Sequence, residues 1–233
     1  MESTNNRIAV VTGGASGIGE ECVGQLRTQG WEVIVWDRAD ASGVVHVDVA
    51  DYASVAAAAA NLDGVDLLIN AAGIAGDRLP VAEKDPAEWN RVLSVNLTGS
   101  FYTAHALHPK LLARRGVIVN VASVAGTLML KGRAHYSVSK AGIVTLTRSL
   151  GNEWAADGIR VIAVAPGYVK TPLVQELVDR GELDEAALAA MHPMNRLASP
   201  QEIAAAMIAL AQPPFQFMTG ETVTIDGGMT LGK

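Results

Sequence analysis

Cysteine is almost absent from this chain. Cys22 stands alone among 233 residues, which excludes an internal disulfide and a cysteine-rich metal centre. It occupies a helical position and reads as a small buried hydrophobe. Aromatic residues make up only 5% of the sequence, and Trp31, Trp36, Trp89 and Trp154 read as packing residues. Long apolar runs are missing too, so no segment qualifies as a membrane-spanning helix. The opening MESTNNRIAVV has no charged stretch followed by an apolar one, which predicts no secretory leader and a cytoplasmic protein. Positive charge is scarce: 18 Lys and Arg face 24 Asp and Glu, for a net charge of −6. With no basic block, nucleic acid is excluded as an expected partner. The histidines (His46, His105, His108, His135, His192) form no convincing metal set and read as scattered surface residues.

What is present is an alternation. Apolar, β-branched runs at 8–12, 32–36, 44–47, 65–70, 117–122, 160–165 and 222–225 alternate with helical patterns at 18–29, 52–62, 86–113, 134–156 and 200–211. Strands that are apolar throughout, with helices between them, predict a doubly wound α/β fold: a seven-stranded parallel sheet with helices on both faces. A chain of this length forms such a sheet as one domain, residues 1–233. One connection is too short for the pattern. Only Asp37 to Gly43 separates the second and third strands, where parallel neighbours usually need a crossover of about a dozen residues. A bare loop and a more open sheet edge are expected there.

The first strand runs into Thr12-Gly13-Gly14-Ala15-Ser16-Gly17-Ile18-Gly19 and then a helix. Glycines allow a sharp turn and close approach to a pyrophosphate, which the helix N-terminus favours with free N–H groups. Asp37 ends the second strand, eighteen residues beyond Gly19. A carboxylate there accepts hydrogen bonds from the ribose hydroxyls of NAD and repels the 2′-phosphate of NADP. Arg38 complicates this, since it could turn toward such a phosphate or stack on adenine. Asp48 follows the third strand and reads first as the cap of the next helix, a role compatible with contacting adenine. Asn70-Ala71-Ala72-Gly73 supplies small residues at the carboxyl edge of the fourth strand, for a close ligand or simply a tight turn.

Further on, Ser123, Tyr136 and Lys140 are spaced for chemistry. Tyr136 and Lys140, at i and i+4, share a helix face. An ammonium beside a phenol favours the phenolate, so the pair is expected to lower the tyrosine pKa. The trio suits proton transfer to or from an alcohol or carbonyl oxygen.

These ordered motifs together resemble the classical short-chain dehydrogenase/reductase family over essentially the whole chain. The matching pieces are Thr12–Gly19, Asp48, Asn70–Gly73, Asn96, Ser123, Tyr136, Lys140, Pro166-Gly167 and the ending Asp226-Gly227-Gly228. The resemblance implies a Rossmann fold and a catalytic tetrad of Asn96, Ser123, Tyr136 and Lys140. Tyr136 would be the acid or base, Ser123 would orient the substrate oxygen, and Lys140 would hold the nicotinamide ribose. Asn96 would hold a water of the proton path; alone, it would read as a helical asparagine bonded to nearby backbone.

The resemblance also implies cofactor contacts from Thr12, Gly13, Ser16, Gly17, Ile18, Gly19, Asp37, Arg38, Asp48, Val49, Asn70, Ala71, Gly73, Tyr136, Lys140, Pro166, Gly167, Val169 and Thr171. Residues 172–193 would be a substrate lid, and the subunits would form a homotetramer through the helices at 86–113 and 134–156. The substrate wall is expected to include Ile74, Gly126, Thr127, Leu128, Met129, Tyr168, Leu173 and Met191, leaning apolar and without an arginine clamp. The implied activity is NAD-dependent hydride transfer between a secondary alcohol and its ketone. The alternatives are an NADP-dependent 3-oxoacyl reductase and a catalytically silent nucleotide-binding module.

Overall fold

The computed structural model describes residues 7–231; the leader reading of the first residues lies outside them. Strands β1 (Ile8–Thr12), β2 (Glu32–Asp37), β3 (Val44–His46), β4 (Leu67–Asn70), β5 (Val117–Val121), β6 (Arg160–Pro166) and β7 (Glu221–Ile225) form one sheet in the order β3-β2-β1-β4-β5-β6-β7. Every pairing is parallel. The order reverses between β1 and β4, and such a switch point opens a crevice at the carboxyl ends of the strands.

The two faces of the sheet carry separate cores, because alternate strand residues point to opposite sides. Ala9, Val11, Leu67, Ile69, Ile162 and Val164 pack with Cys22, Leu26, Ile203 and Met207, from helices α1 (Gly17–Thr28) and α9 (Pro200–Ala211). On the other face, Val10, Leu68, Ile118 and Val161 meet Val55, Leu107, Leu111 and Leu150. Those belong to α2 (Tyr52–Ala60), α4 (Gly99–Arg114) and α6 (Ala134–Trp154). Cys22 is fully enclosed, and burial first, then neighbouring Glu21, pushes its thiol up to about 12. It is an inert packing residue.

Helix starts follow local chemistry. Ser199 and Glu202 form a reciprocal capping box at α9, and Asp85 with Pro86 opens α3 (Pro86–Leu93). At α2 the cap is Asp51, whose carboxylate accepts from the Ala53 amide. Asp48 was the expected cap. It instead closes a tight turn onto the Ala50 amide, three residues too early to reach the helix. The helix expected over 86–113 is α3 and α4 joined by a π-helical turn, Ser94–Thr98. A short helix, α5 (Ala125–Leu128), follows β5, and residues 172–193 hold α7 (Pro172–Asp179) and α8 (Glu185–Ala190). The segment between β2 and β3 contains no helix, as its length requires. β3 pairs with the end of β2 over three residues only.

Candidate active site

A cleft of about 380 Å³ lies at the carboxyl ends of the strands. At one end the glycine loop forms its floor. Gly13 has φ +64, and a Cβ there would lie 2.7 Å from the Ala72 backbone. A Cβ on Gly19 would come 2.1 Å from the Gly13 carbonyl oxygen. Only glycine allows this tight a fold of the loop onto α1, which presents the helix N-terminus to the cleft. Asp37 braces the loop from the side: Oδ2 accepts from the Ala15 amide at 3.0 Å and Oδ1 from Ala39 at 3.1 Å.

Most residues expected to touch a dinucleotide do line this cleft: Gly13, Ser16, Gly17, Ile18, Gly19, Asp37, Arg38, Asp48, Val49, Ala71, Gly73, Tyr136, Lys140, Pro166, Gly167, Val169 and Thr171. Thr12 and Asn70 do not; their side chains face inward, 1% and 4% exposed. Thr12 Oγ1 accepts from the Ala72 amide and so ties the loop to the turn after β4. Asn70 donates to Asn120 Oδ1 at 2.9 Å and accepts from Thr103 Oγ1 at 2.8 Å. Asn120 in turn donates to Thr147 Oγ1 at 3.0 Å. Both residues position the site from the core. The cradle, the helix N-terminus and the acid at the end of β2 fit the adenosine and pyrophosphate of a dinucleotide.

The other end of the cleft holds the reactive side chains. Ser123, just after β5, lines the cleft beside Tyr136, and its hydroxyl favours the phenolate. Its Oγ also accepts from the Ala125 amide at 3.1 Å, which fixes the rotamer. Lys140 is almost fully enclosed, donates to the Val121 carbonyl at 2.7 Å, and has Nζ 5.7 Å from the Tyr136 ring centre. Burial lowers its pKa to about 8. The expected lowering of Tyr136 is not what this arrangement gives. Burial raises its pKa and outweighs the opposing influence of Ser123 and then Arg133. The Lys140 ammonium points to the Val121 carbonyl and stands 5.7 Å from the ring centre, and it is not among the groups that shift the phenol.

Asn96 sits in the π-helical turn. Its Oδ1 accepts from the Ile74 amide at 2.8 Å, and Nδ2 donates to the Ile74 carbonyl and Ser139 Oγ. These are long-range clamps between the turn after β4 and α6, not local backbone bonds. A π turn, which recurs at functional sites, gives the side chain this reach.

Two histidines read as surface residues are buried. His135 Nδ1 accepts from the Tyr136 amide at 2.7 Å, which leaves Nε2–H to donate toward Asp77 at 3.2 Å. Burial, and then Lys84, lower its pKa, so the ring is neutral. Asp77, Glu88 and His135 converge closely enough to hold a cation. The Lys84 ammonium already sits among them, hydrogen-bonded to Asp77, and fills that role itself. His192 Nδ1 donates to the Leu188 carbonyl at 2.8 Å and Nε2 accepts from the Tyr168 amide at 3.1 Å. It ties α8 to the loop after β6. Neither role had a local sequence signal.

The substrate wall also departs from expectation. Ile74, Tyr168 and Leu173 line the cleft, whereas Gly126, Thr127, Leu128, Met129 and Met191 do not. Gly126 is packed against the α6 backbone, and Met129 is 75% exposed. Arg78, Arg91, Leu130 and Arg133 take their place, so the wall is not free of arginine.

With the glycine cradle at one end and the Ser123–Tyr136–Lys140 group at the other, the chain belongs to the short-chain dehydrogenase/reductase family. The family model for enoyl-(acyl carrier protein) reductase matches residues 13–230. Cis-4-hydroxycyclohexanecarboxylate dehydrogenase of Sinomonas cyclohexanicum is 40% identical, over 98% of this chain and 98% of its own. Galactitol 2-dehydrogenase (L-tagatose-forming) of Cereibacter sphaeroides is 39% identical, over 96% of this chain and 94% of its own. The ligand-free aldohexose dehydrogenase of Thermoplasma acidophilum superposes with a TM-score of 0.92 at 28% identity, covering 98% of this chain and 95% of that one. The chain is an oxidoreductase of the class that interconverts secondary alcohols and ketones.

Proposed function

We propose an NAD-dependent dehydrogenase that oxidises a secondary alcohol to its ketone, and reduces it in reverse. The observation that carries this reading is that Ser123, Tyr136 and Lys140 line one cleft with the glycine cradle, Lys140 Nζ 5.7 Å from the Tyr136 ring centre. A bound nicotinamide takes up or supplies the hydride. Tyr136 Oη takes the hydroxyl proton as the alcohol is oxidised, or returns it to the ketone oxygen. Ser123 Oγ holds that same oxygen in line. Lys140, held by the Val121 carbonyl, would use its remaining N–H donors to hold the nicotinamide ribose. Both Nδ2 protons of Asn96 and one Oδ1 lone pair are taken. The remaining lone pair serves the water of the proton path.

NAD is favoured by Asp37, whose carboxylate keeps lone pairs toward the cleft while bracing the loop. The glycine loop itself has no lysine or arginine. One observation favours NADP: Arg38 lines the cleft, held only by a 3.9 Å contact to Asp48. A 3-oxoacyl reductase using NADP is therefore the second reading. Comparing kcat/KM for NADH and NADPH separates the two.

Residues 172–193 would close over the substrate as a lid. Phe101 and Leu112 on α4 and Val138 on α6 are exposed apolar residues, and they support a homotetramer built on these helices. No helix among the described residues is long and apolar enough to cross a membrane. We place the protein in the cytoplasm, in keeping with one inert, buried cysteine.

The test is NADH formation from a panel of cyclic alcohols, polyols and hydroxy acids, repeated with Tyr136→Phe. General acid–base catalysis is worth about 10²–10⁴-fold, so turnover should fall by that factor while NADH still binds. Substantial residual turnover would remove Tyr136 from its role.

A further inference from the structure

Beyond Tyr136 the cleft wall carries two arginines with no ion-pair partner among the described residues. Arg133 precedes α6, and its guanidinium carbon lies 4.9 Å from the centre of the Tyr136 ring. Its Nε is buried without a hydrogen-bond partner. Arg78 stands beside it. A Cβ on Gly132, which has φ +75, would lie 3.2 Å from the Arg78 carbonyl oxygen, so the two backbone segments are in contact. Neither arginine takes part in an ion pair among the described residues.

The acids within reach are already committed. Asp77 holds Lys84 and His135. Glu88 takes a double hydrogen bond from Arg91 at 2.7 and 2.8 Å. Arg91 also faces the cleft, but Glu88 neutralises it. Burial, the largest influence, disfavours the Arg133 cation, as Arg78 does; Tyr136, then Tyr168 and the more distant Asp77, support it. A partly buried guanidinium with an unpaired donor and a like charge next to it is costly unless an anion arrives.

We propose that Arg133 and Arg78 form an anion subsite, and that the substrate is a secondary alcohol that also carries a carboxylate. This rests on the dehydrogenase reading above. A planar carboxylate matches the guanidinium fork and satisfies the orphaned Nε. The subsite is beside the phenol, so a hydroxy acid would be anchored at one end and oxidised at the other. Leu130, Tyr168 and Leu173 supply the apolar surface between them. The simpler account is that Arg133 serves only Tyr136, lying over its ring and easing its ionisation. The two accounts part on one point: the subsite distinguishes charged from neutral substrates, and an effect on Tyr136 does not.

The experiment has a binding arm and a turnover arm. Calorimetric titration of the full chain with NADH present would compare cyclohexanecarboxylate with cyclohexanecarboxamide. Charge-assisted pairing predicts at least ~10-fold tighter binding of the acid. Arg133→Gln should remove that preference, and Arg133→Lys should restore part of it. Arg78 lies at the exposed rim, so Arg78→Gln gives the same test should Arg133→Gln fail to fold.

In the turnover arm, the kcat/KM ratio of 4-hydroxycyclohexanecarboxylate to cyclohexanol should fall by about tenfold or more in Arg133→Gln. Equal binding of acid and amide, or of neither, overturns the subsite. So does a loss of turnover in Arg133→Gln that is the same on both substrates. Selective binding of the acid with no turnover of any alcohol would keep the subsite and sink the dehydrogenase reading instead.

Discussion

The two ends of the cleft are built on different principles. The proposed cofactor end is made of backbone: Gly13, Gly17 and Gly19 shape it, the α1 N-terminus charges it, and a single acid, Asp37, braces it. The substrate end is made of side chains from separate segments: Ser123 after β5, Tyr136 in α6, Arg78 after β4, and Tyr168 held through His192. A backbone cradle tolerates almost no added atom, while a side-chain wall can be rebuilt one residue at a time. That is why one fold serves relatives named for a ring hydroxy acid, a polyol and an aldohexose; here, as in general, the chemistry of the site and not the fold selects the substrate.

The sharpest way to break this contrast is Gly19→Ala. The new Cβ would lie 2.1 Å from the Gly13 oxygen, so NADH titration should show no measurable binding, with a melting temperature lowered as well. Near-normal binding would mean the cradle is softer than a backbone-built site should be.

Lys140→Met probes the substrate end and should separate stability from activity. The lysine pKa falls from 10.5 in the unfolded chain to about 8 on folding. Folding therefore carries a penalty that is complete below about pH 8 and vanishes as pH rises through 10.5. The variant should lose turnover yet be more stable at pH 7, by on the order of 3 kcal/mol. Thermal melts of both proteins should draw together as pH rises from 8 and converge only above about pH 10.5. A variant less stable at pH 7 would contradict this.

Asn70→Ala tests the seam between the two ends. It strands Asn120 Oδ1 in the core and leaves Thr103 Oγ1 only its bond to the Ser100 carbonyl, which should cost about 2 kcal/mol in urea unfolding. Cofactor and substrate KM should rise together, because neither end touches the side chain. The smallest effect is expected at Asp37→Ser. The preference for NAD over NADP should narrow by about tenfold, near 1.4 kcal/mol, and an unchanged ratio would move selectivity elsewhere.

Sequence reading found most of the residues that line the glycine-loop end of the cleft because its signals are local. Glycines at fixed offsets, a strand before and a helix after are all visible along the chain. The catalytic trio was visible for the same reason, since Tyr136 and Lys140 share one helix. What escaped reading depends on distant partners. Thr12 and Asn70 occupy motif positions, yet the register of β1, β4 and β5 turns them inward. His135 looked like a surface residue until Asp77 and Lys84, some fifty residues away, closed over it. Arg78 and Arg133 are fifty-five positions apart in the sequence, and only folding sets them on one cleft wall. The Tyr136 pKa was misjudged because helix spacing reports proximity to Lys140 but says nothing of burial.

The missing crossover helix between β2 and β3 has a consequence for solubility. It leaves β3 as a bare outer rim of the sheet, with Val45 44% exposed. An uncovered rim invites edge-to-edge pairing with another molecule. Brevity counters this, since three residues offer few unpaired groups, and the His46–Asp40 contact places polar side chains at that margin. A longer insertion after Asp37 that extended β3 without adding a helix would turn this margin into a nucleus for aggregation, while leaving the chemistry of Tyr136 untouched.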